Sequence, residues 1–418
     1  MKVYFKTVGC RVNQVETQSL AEKFTALGHP AAASAAEADL LVINTCSVTE
    51  RADRDSLAFI RKAAASNPKA RLVVTGCLAG LNPQKILELA PAASLFLNKD
   101  KESIPFALTG AEPRRDFFRV KRSSGRTRAF VKVQDGCDCG CAYCLVPLAR
   151  NEMLSKDSAS VAEEITGLAA NGFREIVLCG TRLGMYKCPS TGLGLAGLMK
   201  ELFRLEGDFR LRFSSLEPME ISEGLLESVK AGGERFCDYF HLPMQAGSDR
   251  TLKAMGRPYD TAGYLEKLRL VRKYFRDPGL YADVITGFPG ETAEQFAQTA
   301  EFIRGCGLAG LHVFSFSRRP GTRAYSLEGV PQAEIKARSE RLRELDKALR
   351  AAYAASMRGR TLRTLILKNK DGRALGLASN FLTVAFPGQL KSGSFVNARI
   401  TGADGGACAC ACAGEAEQ

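Results

Sequence analysis

Short apolar runs rich in Val and Ile alternate with amphipathic stretches over the first hundred residues. Residues 2–9 (KVYFKTVG), 39–45 (DLLVINT) and 71–76 (RLVVTG) read as strands, and 14–27 and 49–65 as helices. That alternation predicts a parallel, doubly wound sheet. A cysteine follows each strand directly: Cys10, Cys46 and Cys77. In an open α/β sheet the C-terminal strand ends share one edge, where ligands bind. Three thiols separated by 36 and 31 residues are therefore expected at one site. Singly, each is equally a small buried hydrophobe. Together, and without a nearby histidine, they suit an iron–sulfur cluster with one open iron better than a closed four-ligand zinc site.

From residue 129 the alternation resumes. Candidate strands are 129–134, 175–181, 210–216, 239–245, 281–287 and 311–316, with helices at 158–171, 193–206, 222–231, 261–275 and 292–305. Six βα units predict a partial or complete parallel barrel with its site at the C-terminal strand ends. A charged amphipathic helix over 331–356 precedes short strands at 361–367, 373–378, 381–386 and 394–400, which suggest a small β-barrel. The expected division is 1–111, a linker over 112–128, 129–356, 357–402, and a disordered low-complexity tail over 403–418 whose Cys408, Cys410 and Cys412 alternate with alanine.

Composition narrows the class. A chain of 418 residues suggests two or three domains, and 45% hydrophobic with 25% charged residues is globular. Lys plus Arg at 58 against Asp plus Glu at 45 gives +13, which favours polyanionic partners. Seven basic residues against two acids lie in 112–128, an exposed connector or a phosphate contact. Eight against one lie in 356–400, an RNA-binding module or a solubilising one. Three histidines are too few for a His-rich metal enzyme. The start MKVYFKTVGC is not a secretory signal, and no run of 18 apolar residues occurs, so no membrane and a cytoplasmic location are expected. There, clustered members of the 14 cysteines bind metal or do redox chemistry more often than they form disulfides.

Gly136-Cys137-Asp138-Cys139-Gly140-Cys141-Ala142-Tyr143-Cys144 follows the first strand of the second pattern. Four cysteines so close admit a zinc knuckle, although the usual second CxxC pair across a longer loop is absent. Cys137, Cys141 and Cys144 read as Cx3CxxC leave one iron of a [4Fe–4S] cube open.

This loop resembles the signature of radical S-adenosylmethionine (SAM) enzymes. With Thr7–Gln14, Asn44–Val48, Thr75–Leu78, Ser214–Pro218, His241–Gln245, Asp283–Thr292 and Phe316–Thr322, the chain resembles the methylthiotransferases, most of all the subgroup acting on N6-threonylcarbamoyladenosine at position 37 of tRNA. The resemblance implies two [4Fe–4S] clusters, one on Cys137, Cys141 and Cys144 that binds and cleaves SAM, the other on Cys10, Cys46 and Cys77 for sulfur delivery. It implies SAM contacts from Tyr143, Ser215, Glu217, Gln245 and Asp283, a TRAM-like RNA-binding domain at 357–402, and the anticodon loop of tRNA as partner. The implied chemistry removes hydrogen from C2 of the adenine, inserts sulfur and methylates it from a second SAM, with a low-potential electron donor such as flavodoxin or ferredoxin and an unspecified sulfur donor. Isopentenyladenosine-37 and a ribosomal-protein aspartate are the alternative substrates, and a zinc-stabilised RNA-binding protein is the non-enzymatic one. Cys139, Asn151, Ala246 and Lys156 depart from the family pattern.

Overall fold

The computed structural model describes residues 1–112, 116–121, 127–404 and 411–417. Among them, no helix is long and apolar enough to cross a membrane.

The N-terminal unit has strands β1 (Val3–Thr7), β2 (Leu40–Thr45), β3 (Arg71–Gly76) and β4 (Ser94–Phe96) in that spatial order, all parallel. Its helices are α1 (Arg11–Ala26), α2 (Glu50–Ser66), α3 (Cys77–Leu81), α4 (Pro83–Leu89) and α5 (Ile104–Thr109). After α1 the chain passes the far edge of β1, where Ala31 bridges Val3 in parallel, and only then crosses to β2 on the opposite side. The winding direction therefore reverses between β1 and β2. Helices cover both faces: Leu20 and Phe24 of α1 pack with Leu40, Val42 and Val73, whereas Ile60 of α2 and Ile86 of α4 pack with Leu41, Ile43, Leu72 and Val74. This alternation along each strand is the doubly wound arrangement. Its reversal point is where such sheets bind ligands, and Cys10 and Cys46 follow the two strands that flank it.

The central unit begins with β5 (Arg128–Lys132), the short pair β6 (Gln134–Asp135) and β7 (Leu154–Ser155), and α6 (Val146–Ala149) between them. It continues through α7 (Ser158–Ala170), β8 (Glu175–Cys179), α8 (Leu195–Leu202), β9 (Arg210–Phe213), α9 (Glu223–Ala231), β10 (Tyr239–His241), α10 (Asp249–Ala254), α11 (Thr261–Tyr274), β11 (Gly279–Thr286), α12 (Ala293–Gly305) and β12 (Gly310–Ser315). Parallel sheets β5-β8-β9 and β10-β11-β12 meet through bridges Leu211–Phe236 and Ser215–His241, giving six strands of an incomplete barrel. Ala129, Val131, Ile176, Leu178, Leu211, Leu280, Ala282 and Val284 join the core beneath the helices. Strand alternation puts Glu175, Arg210, Arg212, His241, Asp283 and His312 on the inner face.

Helix α13 (Gln332–Ser356) leads to a closed barrel of β13 (Thr361–Lys370), β14 (Arg373–Ala378), β15 (Thr383–Pro387), β16 (Phe395–Asp404) and β17 (Ala411–Glu417). This corrects the disordered tail for residues 411–417, which pair with both β16 and β15; Cys408 and Cys410 lie outside the described residues. Backbone pairing closes the barrel irrespective of the low-complexity composition. The barrel docks on the N-terminal ends of the central strands. Arg210, itself bound to Glu175 at 2.7 Å, donates to the carbonyls of Arg363 (2.9 Å) and Leu377 (2.7 Å), and Arg363 pairs with Asp208 at 2.9 Å.

Residues 116–121 correct the exposed connector. Phe118 and Val120 are buried, and their amides donate to Glu102 and Glu164. Residues 113–115 and 122–126 of that linker lie outside the described residues. The strand expected over 239–245 ends at His241; Leu242 and Gln245 still donate to the Tyr281 and Asp283 carbonyls at 2.8 Å, and Gln245 itself takes a left-handed φ of 69°.

Candidate functional site

Cys10 caps the start of α1 and is exposed, whereas Cys46 after β2 and Cys77 at the start of α3 are buried. Gly9, at φ +103°, lets the first loop close on the second: a Cβ there would stand 2.6 Å from Cys46 Sγ. Asn13 Nδ2 donates to the carbonyls of Val8 and Thr45 at 2.9 Å each, tying the Cys10 and Cys46 loops together. Burial pushes the Cys46 thiol up to about 12, with Cys10 and Cys77 adding to the rise. Such a sulfur becomes a thiolate when a metal displaces its proton.

In the second set, Gly136 (φ +85°) turns the chain so tightly that a Cβ would meet the Glu152 carbonyl at 2.0 Å. The Cys137 amide donates to the Arg150 carbonyl at 3.1 Å, the Ala142 amide to the Met255 carbonyl at 2.8 Å, and the Val146 amide to Cys144 Sγ at 3.4 Å. Cys139 lies against Cys137 rather than pointing to solvent. Its hydrogen bond lowers the Cys137 thiol, while the Cys139 thiol is raised to about 11. Cys144 is pushed up to about 12 by burial.

Arg257, buried, donates to Cys141 Sγ at 3.0 Å and to Tyr143 Oη at 3.4 Å, and pairs with Glu217. Two of the expected SAM contacts, Tyr143 and Glu217, are thereby brought to the cysteine loop. Tyr143 also packs edge-on to Phe288 at 6.5 Å, in an apolar group that includes Ala246. Ser215 and Gln245 are held at their strand ends by main-chain pairing, Ser215 bridging His241 and Gln245 bridging Val284. Asp283 is drawn elsewhere: its Oδ1 accepts from His241 Nε2 at 2.7 Å and lies 3.3 Å from His312 Nδ1. Burial opposes its ionisation, but these two imidazoles outweigh that and hold the carboxyl well below the usual range.

The interface between the first two units carries a buried ionic network. Glu16 of α1 pairs with Lys101 (2.5 Å), Lys132 (2.7 Å) and Arg150 (2.8 Å), and Asp135 with Lys132 and Arg150 at 2.7 Å each. Burial opposes Glu16 ionisation, and the three cations override it and lower its pKa strongly. Three cations against two carboxylates leave one positive charge in excess. Arg150, which pairs with both carboxylates, also donates to Asn13 Oδ1 at 2.9 Å. Desolvation raises the Cys10 thiol above its ordinary range even with Arg150 nearby. Further contacts join the loops that carry the two sets. Arg319 binds Ser47 Oγ at 2.8 Å and pairs with Asp53, Ser317 Oγ accepts from the Glu50 amide at 2.9 Å, and Asn98 donates to the Ala149 carbonyl at 2.8 Å with Cys77 Sγ at 3.8 Å. The C-terminal strand edge of the first unit thus faces the C-terminal face of the second. A cavity of about 650 Å³ flanks this contact, lined by residues that include Asn98, Phe117, Lys132, Asp135, Arg150 and Lys156; none of the six cysteines lines it.

Sequence reasoning missed Glu16, Lys132, Asp135, Arg150, Arg257 and Arg319 as parts of the site. The available signal was charged residues inside or beside the cysteine motifs, since a charge so placed needs a buried partner. Cys179, Cys188, Cys237 and Cys306 are buried, as packing residues should be.

Residues 2–98 match a family described as uncharacterized protein family UPF0004, and residues 131–303 match the radical SAM superfamily. The chain is 34% identical over 416 residues, covering 96% of itself and all of the relative, to a threonylcarbamoyladenosine tRNA methylthiotransferase of Aquifex aeolicus. It is also 34% identical over 392 residues, 90% of itself and 89% of the relative, to a tRNA-2-methylthio-N(6)-dimethylallyladenosine synthase of Cereibacter sphaeroides. Among solved structures, the radical SAM methyltransferase TsrM of Kitasatospora setae shares the fold with a TM-score of 0.59 at 15% identity, over 78% of this chain and 75% of that one.

Proposed function

The chain belongs to the radical-SAM tRNA methylthiotransferases, and from that premise we propose that it adds a methylthio group to C2 of N6-threonylcarbamoyladenosine at position 37 of tRNA. The two three-cysteine sets, each at the C-terminal strand ends of its own sheet, support methylthiotransferase chemistry, and the observation that carries the substrate is the likeness along 96% of the chain to the threonylcarbamoyladenosine enzyme of Aquifex aeolicus. The family works with SAM and [4Fe–4S] clusters, which when bound supply radical cleavage of SAM and the sulfur to be inserted. Cys137, Cys141 and Cys144 would hold the SAM-cleaving cluster, and Cys10, Cys46 and Cys77 the second. The residues fit: all six cysteines are free thiols, and Gly9 and Gly136 let the loops that carry them close where a Cβ would clash.

The protein's own contribution is binding, orientation and exclusion of water. Arg257 and Glu217, opposite charges beside Cys141, suit the carboxylate and ammonium of a methionine moiety. Tyr143, with Phe288 and Phe316, offers an apolar wall. Ser215 and Gln245 add polar groups at neighbouring strand ends, and Asp283 contributes from the inner barrel face through its histidine pair. The terminal barrel exposes Arg358, Lys368, Lys370, Arg373, Lys391 and Arg399, which suits a TRAM-like RNA-binding role through phosphate contacts. This reading places the enzyme in the cytoplasm with tRNA and a low-potential electron donor such as flavodoxin or ferredoxin.

Mass spectrometry of tRNA nucleosides from a deletion strain tests the substrate. Loss of 2-methylthio-N6-threonylcarbamoyladenosine, restored by the gene on a plasmid, is expected. Loss of the methylthio isopentenyl nucleoside instead would transfer the assignment to the other subgroup, the one to which the Cereibacter relative's name points.

A further inference from the structure

Two of the three histidines in the chain, His241 and His312, converge with Asp283 on the inner face of the central barrel. They come from three adjacent parallel strands. Asp283 and His312 are directly paired across β11 and β12, and His241 at the end of β10 pairs with Tyr281, two residues before Asp283 on the same face. The three ligand atoms lie within 4.8 Å of one another.

We propose that His241 Nε2, Asp283 Oδ1 and His312 Nδ1 form a binding site for one divalent transition-metal ion, of the Zn²⁺, Co²⁺ or Fe²⁺ class. A structural His–Asp hydrogen bond accounts for one imidazole on a carboxylate. It does not account for a second imidazole at the same oxygen, set edge-on to the first with ring centroids 4.8 Å apart. Metal–ligand bonds of about 2.0–2.2 Å to imidazole nitrogen and carboxylate oxygen put neighbouring donors roughly 3–3.5 Å apart, which small χ rotations reach from the present arrangement. Two imidazoles and a carboxylate are the donor set of the two-histidine, one-carboxylate metal sites. Among the described residues, no Lys or Arg pairs with Asp283. Arg212, a large cation on the same inner face, is bound to Glu175 at 2.9 Å and stacks on Tyr239 and Phe381. Side-chain exposures of 16% for His241, 20% for Asp283 and 38% for His312 leave an entry path and room for further ligands. All three donors are nitrogen or oxygen, so none is shared with either cysteine set.

The test uses the full-length holoenzyme with both clusters assembled, titrated anaerobically with Zn²⁺ and counted by elemental analysis. A variant with Cys408→Ser, Cys410→Ser and Cys412→Ser removes tail thiols that could take zinc independently. The wild type and this tail variant should each bind one zinc per chain. X-ray absorption should show only nitrogen and oxygen neighbours, with no sulfur at about 2.3 Å. His312→Gln and Asp283→Asn should weaken binding at least tenfold while the iron content stays at the wild-type level. His312→Gln keeps the side-chain length and a hydrogen-bond donor, so it remains informative if Asp283→Asn lowers the iron content. Zinc that disappears with the tail cysteines, shows sulfur neighbours, is retained by His312→Gln, or never binds would overturn the proposal.

Discussion

At the residue scale, Glu16 is the hinge of the site's electrostatics. Glu16→Gln leaves Lys101, Lys132 and Arg150 facing Asp135 alone in a buried interface. Breaking a buried ionic network by removing one partner costs about 3–5 kcal/mol, so a clear drop in the urea midpoint is expected for this variant. The same network sets an acid limit. Glu16 and Asp135 both have folded pKa values below their ordinary ones. Their stabilisation is therefore complete above the unfolded carboxylate range of about 4 and is lost as pH falls through the lowered values. Equilibrium unfolding from pH 7 to pH 3 should show stability falling below about pH 4, less steeply in Glu16→Gln. The proposed cluster assignment makes the cysteines separable by function. Cys141→Ala should abolish SAM cleavage. Cys10→Ala should lower iron from about eight to about four per chain, since each cube holds four, and retain SAM cleavage. Iron analysis and SAM turnover measure both.

At the element scale, the strand ends decide what meets what. The six central strands carry the pattern legible in the sequence, yet the expected strand over 239–245 stops at His241, where the chain turns to bring Gln245 back beside Val284. Alternation of apolar and polar residues locates strands but not the residue at which a strand leaves its sheet. That point depends on which neighbour supplies the next hydrogen bond. The terminal barrel teaches the same lesson in reverse. Its last strand, 411–417, has a composition that reads as disorder but closes the barrel by pairing with 397–404 and 383–385. Deleting residues 405–418 should expose both edges. A lower melting temperature and concentration-dependent association in size-exclusion chromatography are the expected results.

For the whole molecule, the placement of the terminal barrel matters most. It covers the N-terminal ends of the central strands, while both cysteine sets lie at C-terminal ends. The central strands, three to eight residues long, span roughly 10–27 Å, so a nucleic acid touching the barrel and the site must bridge that distance along the outside. Interactions made so far from the chemistry contribute to binding without changing the reacting geometry. Replacing Lys368, Lys391 and Arg399 together with alanine should raise KM for tRNA and leave kcat near the wild-type value. Each phosphate left without its cation should flatten the slope of log affinity against log salt by roughly 0.7–0.9, which filter binding over a salt series measures.

The sequence by itself determined the three-part organisation, the parallel sheets and the six cysteines at strand ends, because strand periodicity and motif spacing are local properties of the chain. Tyr143 and Glu217, which Arg257 joins to Cys141, could be singled out for the same reason: each sits within a short motif. Only the tertiary structure decided that Glu16 of the first unit neutralises Lys132 and Arg150 of the second, that Arg257 joins Glu217 to Cys141, and that Asp283 meets two histidines 42 and 29 residues away along the chain. Partners this distant in sequence leave no periodic trace. Their pairing follows from the strand register and from domain docking, and the need to compensate each buried charge selects them once the fold has brought them together.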